Sequence, residues 1–390
     1  MNQRSAQALG LVVGVSVGRW IGQRTRDRMM VLQPPPLVDW ERAREIALRL
    51  SGGVRLSPLE REEATNRYRR LVTELAPAIA DFVGSPIPSG IHRVYAFDRI
   101  DWIDANLEGF AEVLRPLETV IHIPEQPLAR AAAVLWAHAG RSAATMEVGM
   151  ALGFLSRRVL GQYDIAVLGG EPTAAGKLYF VEPNIRWLIR NWRLPEHDFY
   201  RWLVLHEVTH AFEFESRPWL RDRVNELLRQ WVEALRHDGR LFHRVIEILR
   251  TARRGDWTAD TTWMELLMST EQRRLFRQLQ AIMAVIEGYS NYVMREVGRE
   301  IVEFYPLIER RFEERERART PAERLLLRLT GLDTKLEQYR RGEAFCRAIA
   351  DRMGREAFAV LWRGPEWLPT YEELAEPENW IRRVTSGSSG

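Results

Sequence analysis

Residues His206-Glu207-Val208-Thr209-His210 set two histidines four positions apart, with a glutamate directly after the first. On an α-helix, side chains at i and i+4 stand one above the other, so both imidazoles can reach one metal ion at about 2.0–2.1 Å. The flanking sequence predicts that helix. Pro195 opens it, Glu196 and Asp198 sit in its first turn where acid suits the helix dipole, and it runs to about Glu215 before Pro218 stops it. Trp202, Leu205, Val208 and Phe212 give it an apolar face. Glu207 can then serve as general base. It takes the proton from a metal-activated water as that water attacks a carbonyl, and returns it to the leaving amine. The competing reading of the same residues is two hydrogen-bonded histidines on a half-buried helix.

A catalytic zinc needs a third protein ligand. Glu213 lies on the right face, but seven residues of helix separate it from His206 by about 10 Å, too far to share an ion. The extended motif of the metzincins is absent, because its Gly and third His positions hold Glu213 and Ser216. Further along, Ala281 to Met294 (AIMAVIEGYSNYVM) reads as an apolar helix carrying one carboxylate, Glu287. A carboxylate on a buried surface needs a partner, and a metal ion is a good one. An ion pair with Arg or Lys is the alternative, and His237 and His243 are rival ligands.

The remaining pattern is mainly helical. Asp39 caps a helix over Trp40–Leu50, and Ser57, Pro58 and Glu60 form a capping box opening another that reaches about Phe82. Arg93–Asp98 is a strand, and Asp101–Glu112 and Leu128–Gly161 are helices, the second with a break near Gly140. Ile165–Leu168 and Leu178–Val181, with glycines between, predict a β-hairpin that Pro183 ends. Gly161–Asp164 reads as a turn, and the hairpin is expected beside the metal helix with a free edge toward the cleft. From Trp219 to Met353 the sequence is helical, with breaks near Gly239, Gly255 and Gly331. Ile308–Arg319 is highly charged and predicts a solvated face. The fold class is mainly α (α+β): a multi-helical body, residues 37–384, with lobes expected at 37–160 and 161–384 and a small hairpin or sheet beside the metal helix.

Two segments fall outside that body. Residues 1–36 form an arm ending in Gln33-Pro34-Pro35-Pro36, a stiff linker, and residues 385–390 a flexible tail. Within the arm Gly10, Gly14, Gly18 and Gly22 fall on one helical stripe, which allows a homodimer or membrane contact through residues 8–22, or an arm folded back on the body. The apolar run there is too short and interrupted for a membrane span. With 56 basic against 53 acidic residues, no nucleic-acid partner is called for. Cys346 is the lone cysteine, which fits a reducing compartment. A cytoplasmic protein is expected, with peripheral membrane contact as the variant.

The motif set resembles known metallopeptidases. Glu287-Gly288-Tyr289-Ser290-Asn291-Tyr292 is similar to the E-G-x-[AS]-x-Y element of glutamate-zincins, in which the Glu is the third metal ligand. In the thermolysin-like branch an Asp four residues later orients the first His, and here Asn291 holds that position. More broadly, the chain resembles the zincin-like metallopeptidases of type 2, a bacterial group labelled by association with deazaflavin-coenzyme biosynthesis, a label that carries no chemistry. The likeness includes Val38-Asp39-Trp40, Gly153-Phe154-Leu155-Ser156, Leu160 to Asp164, Pro183-Asn184, Leu205 to His210, Pro218-Trp219-Leu220, Glu287-Gly288, Gly331-Leu332-Asp333, Lys335, Gln338-Tyr339 and Leu368-Pro369-Thr370. Where the family often has His after E-G, this chain has Tyr289. The resemblance implies a zinc ion on His206, His210 and Glu287, and hydrolysis of a peptide or amide substrate. It also suggests Tyr339 as an oxyanion stabiliser, with a buried, hydrogen-bonded structural tyrosine as the competing reading. The alternative is a catalytically silent zincin fold used for binding or as a scaffold, membrane-associated through the arm.

Overall fold

Capping residues and prolines fix where most helices begin. A computed structural model of the chain describes residues 36–114, 127–164, 176–236, 268–317 and 332–386. Asp39 accepts the backbone N–H of Arg42 and opens α1 (Trp40–Ser51). Ser57 and Glu60 close a reciprocal capping box at the start of α2 (Pro58–Val83), as the sequence predicts. Strand β1 (Val94–Phe97), α3 (Arg99–Leu114) and α4 (Pro127–Ser156) follow, α4 without a break at Gly140. Then come β2 (Gly161–Asp164), β3 (Lys177–Val181), α5 (Glu182–Trp192), α6 (Glu196–Glu215), α7 (Pro218–Arg236) and α8 (Thr270–Ile301). The chain continues through α9 (Tyr305–Arg317), α10 (Leu332–Met353), α11 (Glu356–Leu361), α12 (Tyr371–Ala375) and α13 (Pro377–Ser386). The described fold is thus mainly α with one small sheet. No described helix is long and apolar enough to cross a membrane. The glycine-rich arm, His237, His243 and residues 165–168 lie outside the described residues.

The sheet has the order β1-β3-β2, with β1 parallel and β2 antiparallel to β3. This corrects the expected turn at Gly161–Asp164, which is the edge strand. Its side chains alternate as a strand requires. Gln162 takes the indole N–H of Trp102 at 2.8 Å on one face, while Tyr163 stacks on Phe214 on the other. β3 alternates too: Leu178 and Phe180 enter the main core, and Val181 enters a smaller one with Ala47, Trp102, Ile103 and Leu152.

Helix α5 was not foreseen. Pro183 ends β3 by lacking an N–H, but the same lack suits the first turn of a helix. Its first residue, Glu182, is fully buried and accepts the hydroxyls of Tyr68 (2.5 Å) and Tyr200 (3.0 Å) and the guanidinium of Arg186 (2.7 Å). Four partners, counting Arg67 at 3.3 Å, offset the cost of burying that charge. The charged helix α9 exposes Arg310, Glu313 and Glu314, yet buries Tyr305 and Ile308 and stacks Phe312 on Trp202 of α6.

Helix α6 is the centre of the body. Buried residues occur all round it, from Phe199 through Leu203, Val204, Val208 and Phe212 to Phe214. A helix apolar on every side must be enclosed. It packs against α2, α7, α8, α9, β2 and β3. Helix α8 in turn crosses α10 where Gly288 meets Gly342: a Cβ on either glycine would run into the other helix's backbone. The Gly of the E-G pair is therefore the residue that lets α10 seat against α8.

Candidate metal centre

The α6–α8 contact brings Glu287 to the histidine pair. His206 and His210 share one face of α6, with ring centroids 4.7 Å apart and ring planes near perpendicular. Each presents Nε2 to the same carboxylate oxygen: Glu287 Oε2 lies 3.7 Å from His206 Nε2 and 3.8 Å from His210 Nε2. These separations are too long for hydrogen bonds. They approach the roughly 3.3 Å edge between two ligands each about 2.0 Å from a tetrahedral ion. Among the described residues, His206, His210 and Glu287 form the one cluster with metal-ligand spacing, their ligand atoms all within 4.8 Å of one another.

The outer contacts orient one imidazole. His210 Nδ1 lies 2.8 Å from Glu213 Oε2 and 3.0 Å from Ser290 Oγ. Ser290 donates to the same Glu213 oxygen at 3.1 Å. When the His210 ring is neutral, an Nδ1–H that donates to Glu213 leaves the Nε2 lone pair facing the cluster. Neither Glu213 nor Ser290 was assigned this role from sequence. The i, i+3 spacing of His210 and Glu213 is a local signal for it, but Ser290 arrives from another helix.

Asn291 does not orient the first histidine. His206 Nδ1 is buried with no hydrogen-bond partner. Residues 290 and 291 lie on opposite flanks of the Glu287 stripe, and it is Ser290 that reaches α6. Tyr289 is buried, edge-on to Phe358 and Trp362. Tyr339 belongs to α10, but its side chain, with those of Lys335 and Gln338, lies outside the described residues.

Charge follows from burial and neighbours. Burial, reinforced by His210, holds His206 down to about 4 against the pull of Glu287, so its imidazole is neutral at pH 7. For His210 burial acts the same way, but the hydrogen bond to Glu213 and the carboxylates of Glu287, Glu213 and Glu207 overcome it and push the ring up to about 9. Burial pushes Glu207 up to about 7; Glu287 adds to this, while His210 and the backbone N–H of Tyr163 oppose it.

Glu207 sits between this cluster and the sheet edge. Its carboxylate accepts the Tyr163 backbone N–H, and a Cβ at Gly161 would run into it. The Leu160 carbonyl accepts the N–H of Val181, so the peptide groups of Gly161 and Tyr163, one and three positions on, turn away from β3 toward α6.

A family profile described as zincin-like metallopeptidase matches residues 38–381. The chain belongs to the zincin-like metallopeptidase family. The match spans the elements that carry His206, Glu207, His210 and Glu287. A solved structure from Chloroflexus aurantiacus, described as a candidate hydrolase with a novel fold, is 35% identical to this zincin-like metallopeptidase. It covers 89% of this chain and 99% of its own, with a TM-score of 0.64. No curated protein matches the chain. Family and structural neighbour agree on a hydrolase, and two imidazoles with one carboxylate are the donor set of several catalytic zinc sites.

Proposed function

We propose that this protein is a zinc-dependent hydrolase acting on peptide or amide bonds. The observation that carries the reading is the convergence of His206 Nε2 and His210 Nε2 on one oxygen of Glu287, with Glu207 alongside but not among the ligands. His206, His210 and Glu287 would hold the ion, and Glu213 and Ser290 would keep His210 turned toward it. When bound, zinc supplies a Lewis acid that polarises a carbonyl and makes water a nucleophile near neutral pH.

The chain's own residues do the rest. Glu207, poised near pH 7, accepts a proton from the attacking water and gives it to the leaving nitrogen. Its contact with the Tyr163 N–H fixes the direction in which the carboxylate points. Gly161, with no side chain, leaves room for the Glu207 carboxylate against the β2 edge.

The test has two parts. Metal analysis of purified wild type should give zinc near one per chain, and His206→Ala should lose it. A peptide-library digest followed by mass spectrometry should then show zinc-dependent cleavage that a chelator abolishes. Zinc without cleavage across a broad library would favour a binding or scaffold role, and absence of stoichiometric metal would overturn the reading.

A further inference from the structure

Helix α4 has one face buried and one face open. It packs on α1 and α3, and α1 comes so close that a Cβ on Gly149 or Gly153 would meet the backbone carbonyl of Ala43 or Ala47. A helix at the surface ordinarily turns charged side chains outward, as α9 does with Arg310, Glu313 and Glu314. Over its 30 residues α4 has only Arg130, Arg141 and Glu147 as charged residues, and Arg141 is turned to Asp39 at 2.9 Å. Ala139, Ala143, Met146 and Met150, at i, i+4, i+7 and i+11, fall on one stripe and are all exposed, Met146 to 54% and Met150 to 47%. The stripe is about 17 Å long. Glu147, the one acidic residue of the helix, stands beside it. Single exposed apolar side chains are ordinary, but a continuous apolar stripe marks a surface that takes a partner.

The chain enters the body against this same helix. Val38 is buried, the Asp39 N–H donates to Thr145 Oγ1 at 2.9 Å, and Arg141 donates to the Asp39 carboxylate. The arm, residues 1–36, precedes that anchor, and the family match begins after it, at residue 38. Residues 8–22 of the arm are a second apolar stretch in need of cover, with Arg19 as their only charge, opposite in sign to Glu147. The intervening residues 23–35 can extend about 45 Å, well beyond the length of the stripe. A segment tethered at this distance has an effective concentration in roughly the millimolar range, far above that of a second copy at working dilution.

We propose that the outer face of α4 is the docking surface for residues 8–22 of the same chain. Docking there takes two apolar surfaces out of water at once, and the tether favours a partner in the same molecule over a second copy or a membrane. The proposal does not depend on the hydrolase reading, because no residue of the metal centre takes part.

Photo-cross-linking in the full chain tests it. The photoreactive residue benzoylphenylalanine is placed at Ala143 or at Met146, the protein is irradiated at low-micromolar concentration, and the products are sized on a denaturing gel and mapped by mass spectrometry. The expected product has monomer mass and joins α4 to residues 8–22. The same probe at Arg310 of α9 should give no such product. With the probe at Ala143, Met146→Glu/Met150→Glu should lower the yield about tenfold, because docking would then bury two carboxylates. Circular dichroism checks the fold, and if that variant does not fold, Val13→Glu/Val17→Glu on the arm carries the same expectation. Products of dimer mass would assign the face to a second copy and overturn the proposal. So would the absence of an arm product from both α4 positions, an equal yield from Arg310, or a yield unchanged in the folded glutamate variants. Loss of the arm product on adding phosphatidylglycerol vesicles, with the protein floating alongside them, would give the arm to a membrane and overturn it as well.

Discussion

Glu213 Oε2 lies 2.8 Å from His210 Nδ1, one turn further along the same helix, so one segment supplies a candidate ligand and the group that orients it. Loss of such an orienting carboxylate typically costs metal affinity about 10- to 100-fold. Glu213→Gln should therefore weaken zinc binding by that order while leaving His206 and Glu287 in place. Competition against a zinc-sensitive dye measures it, and an unchanged affinity would remove Glu213 from the centre.

Glu207→Gln should keep metal and fold and lose nearly all turnover. Glutamine matches the size of the carboxylate but cannot accept a proton at neutral pH. The loss belongs in kcat, because the proton moves in the transition state. Against a peptide found in the library digest, equal rates for variant and wild type would sink the general-base role.

Gly342→Ala should destabilise the protein and disturb its metal site together. A methyl there meets the backbone of Ala284 on α8, one turn before Glu287. Overpacking of this kind costs about 1–3 kcal/mol. Urea unfolding should show a lower midpoint, with zinc affinity reduced through the displacement of α8. A variant as stable as wild type would show that the crossing can relax.

Metal uptake should release a proton. In the metal-free protein His210 is pushed up to about 9, so at pH 7 it is protonated, whereas zinc takes the neutral ring. His206, held down to about 4, is already neutral and adds nothing to the release. Apparent zinc affinity should then climb about tenfold per pH unit from pH 7 and level off above about pH 9. Calorimetry in buffers of different ionisation enthalpy counts the proton directly. An affinity flat over that range would contradict the pairing of His210 with Glu213.

Local rules carried much of the fold into view from sequence. The caps at Asp39 and Ser57, the strand at Val94 and the helix opened by Pro195 all stand close to where residue chemistry predicted them. Each depends on neighbours a few residues apart. The edge strand at Gly161 and helix α5 escaped for a related reason. Gly161-Gln162-Tyr163-Asp164 reads locally as a turn, and Pro183 reads as a stop. Only packing against α6 and β3 decided otherwise.

The metal centre divides along the same line. Residue order alone puts His206 and His210 on one helix face with Glu207 beside the first, because helical periodicity fixes i and i+4 without help from the rest of the chain. Likeness to a known motif added Glu287, but not its distance from the histidines. Tertiary structure alone decided that α8 crosses α6 at Glu287 and that Ser290 rather than Asn291 faces His210. It also backed the β2 edge against Glu207. Those contacts join residues about 40 to 80 positions apart, and their geometry is set by core packing and by the Gly288–Gly342 crossing, neither of which leaves a periodic trace in one sequence.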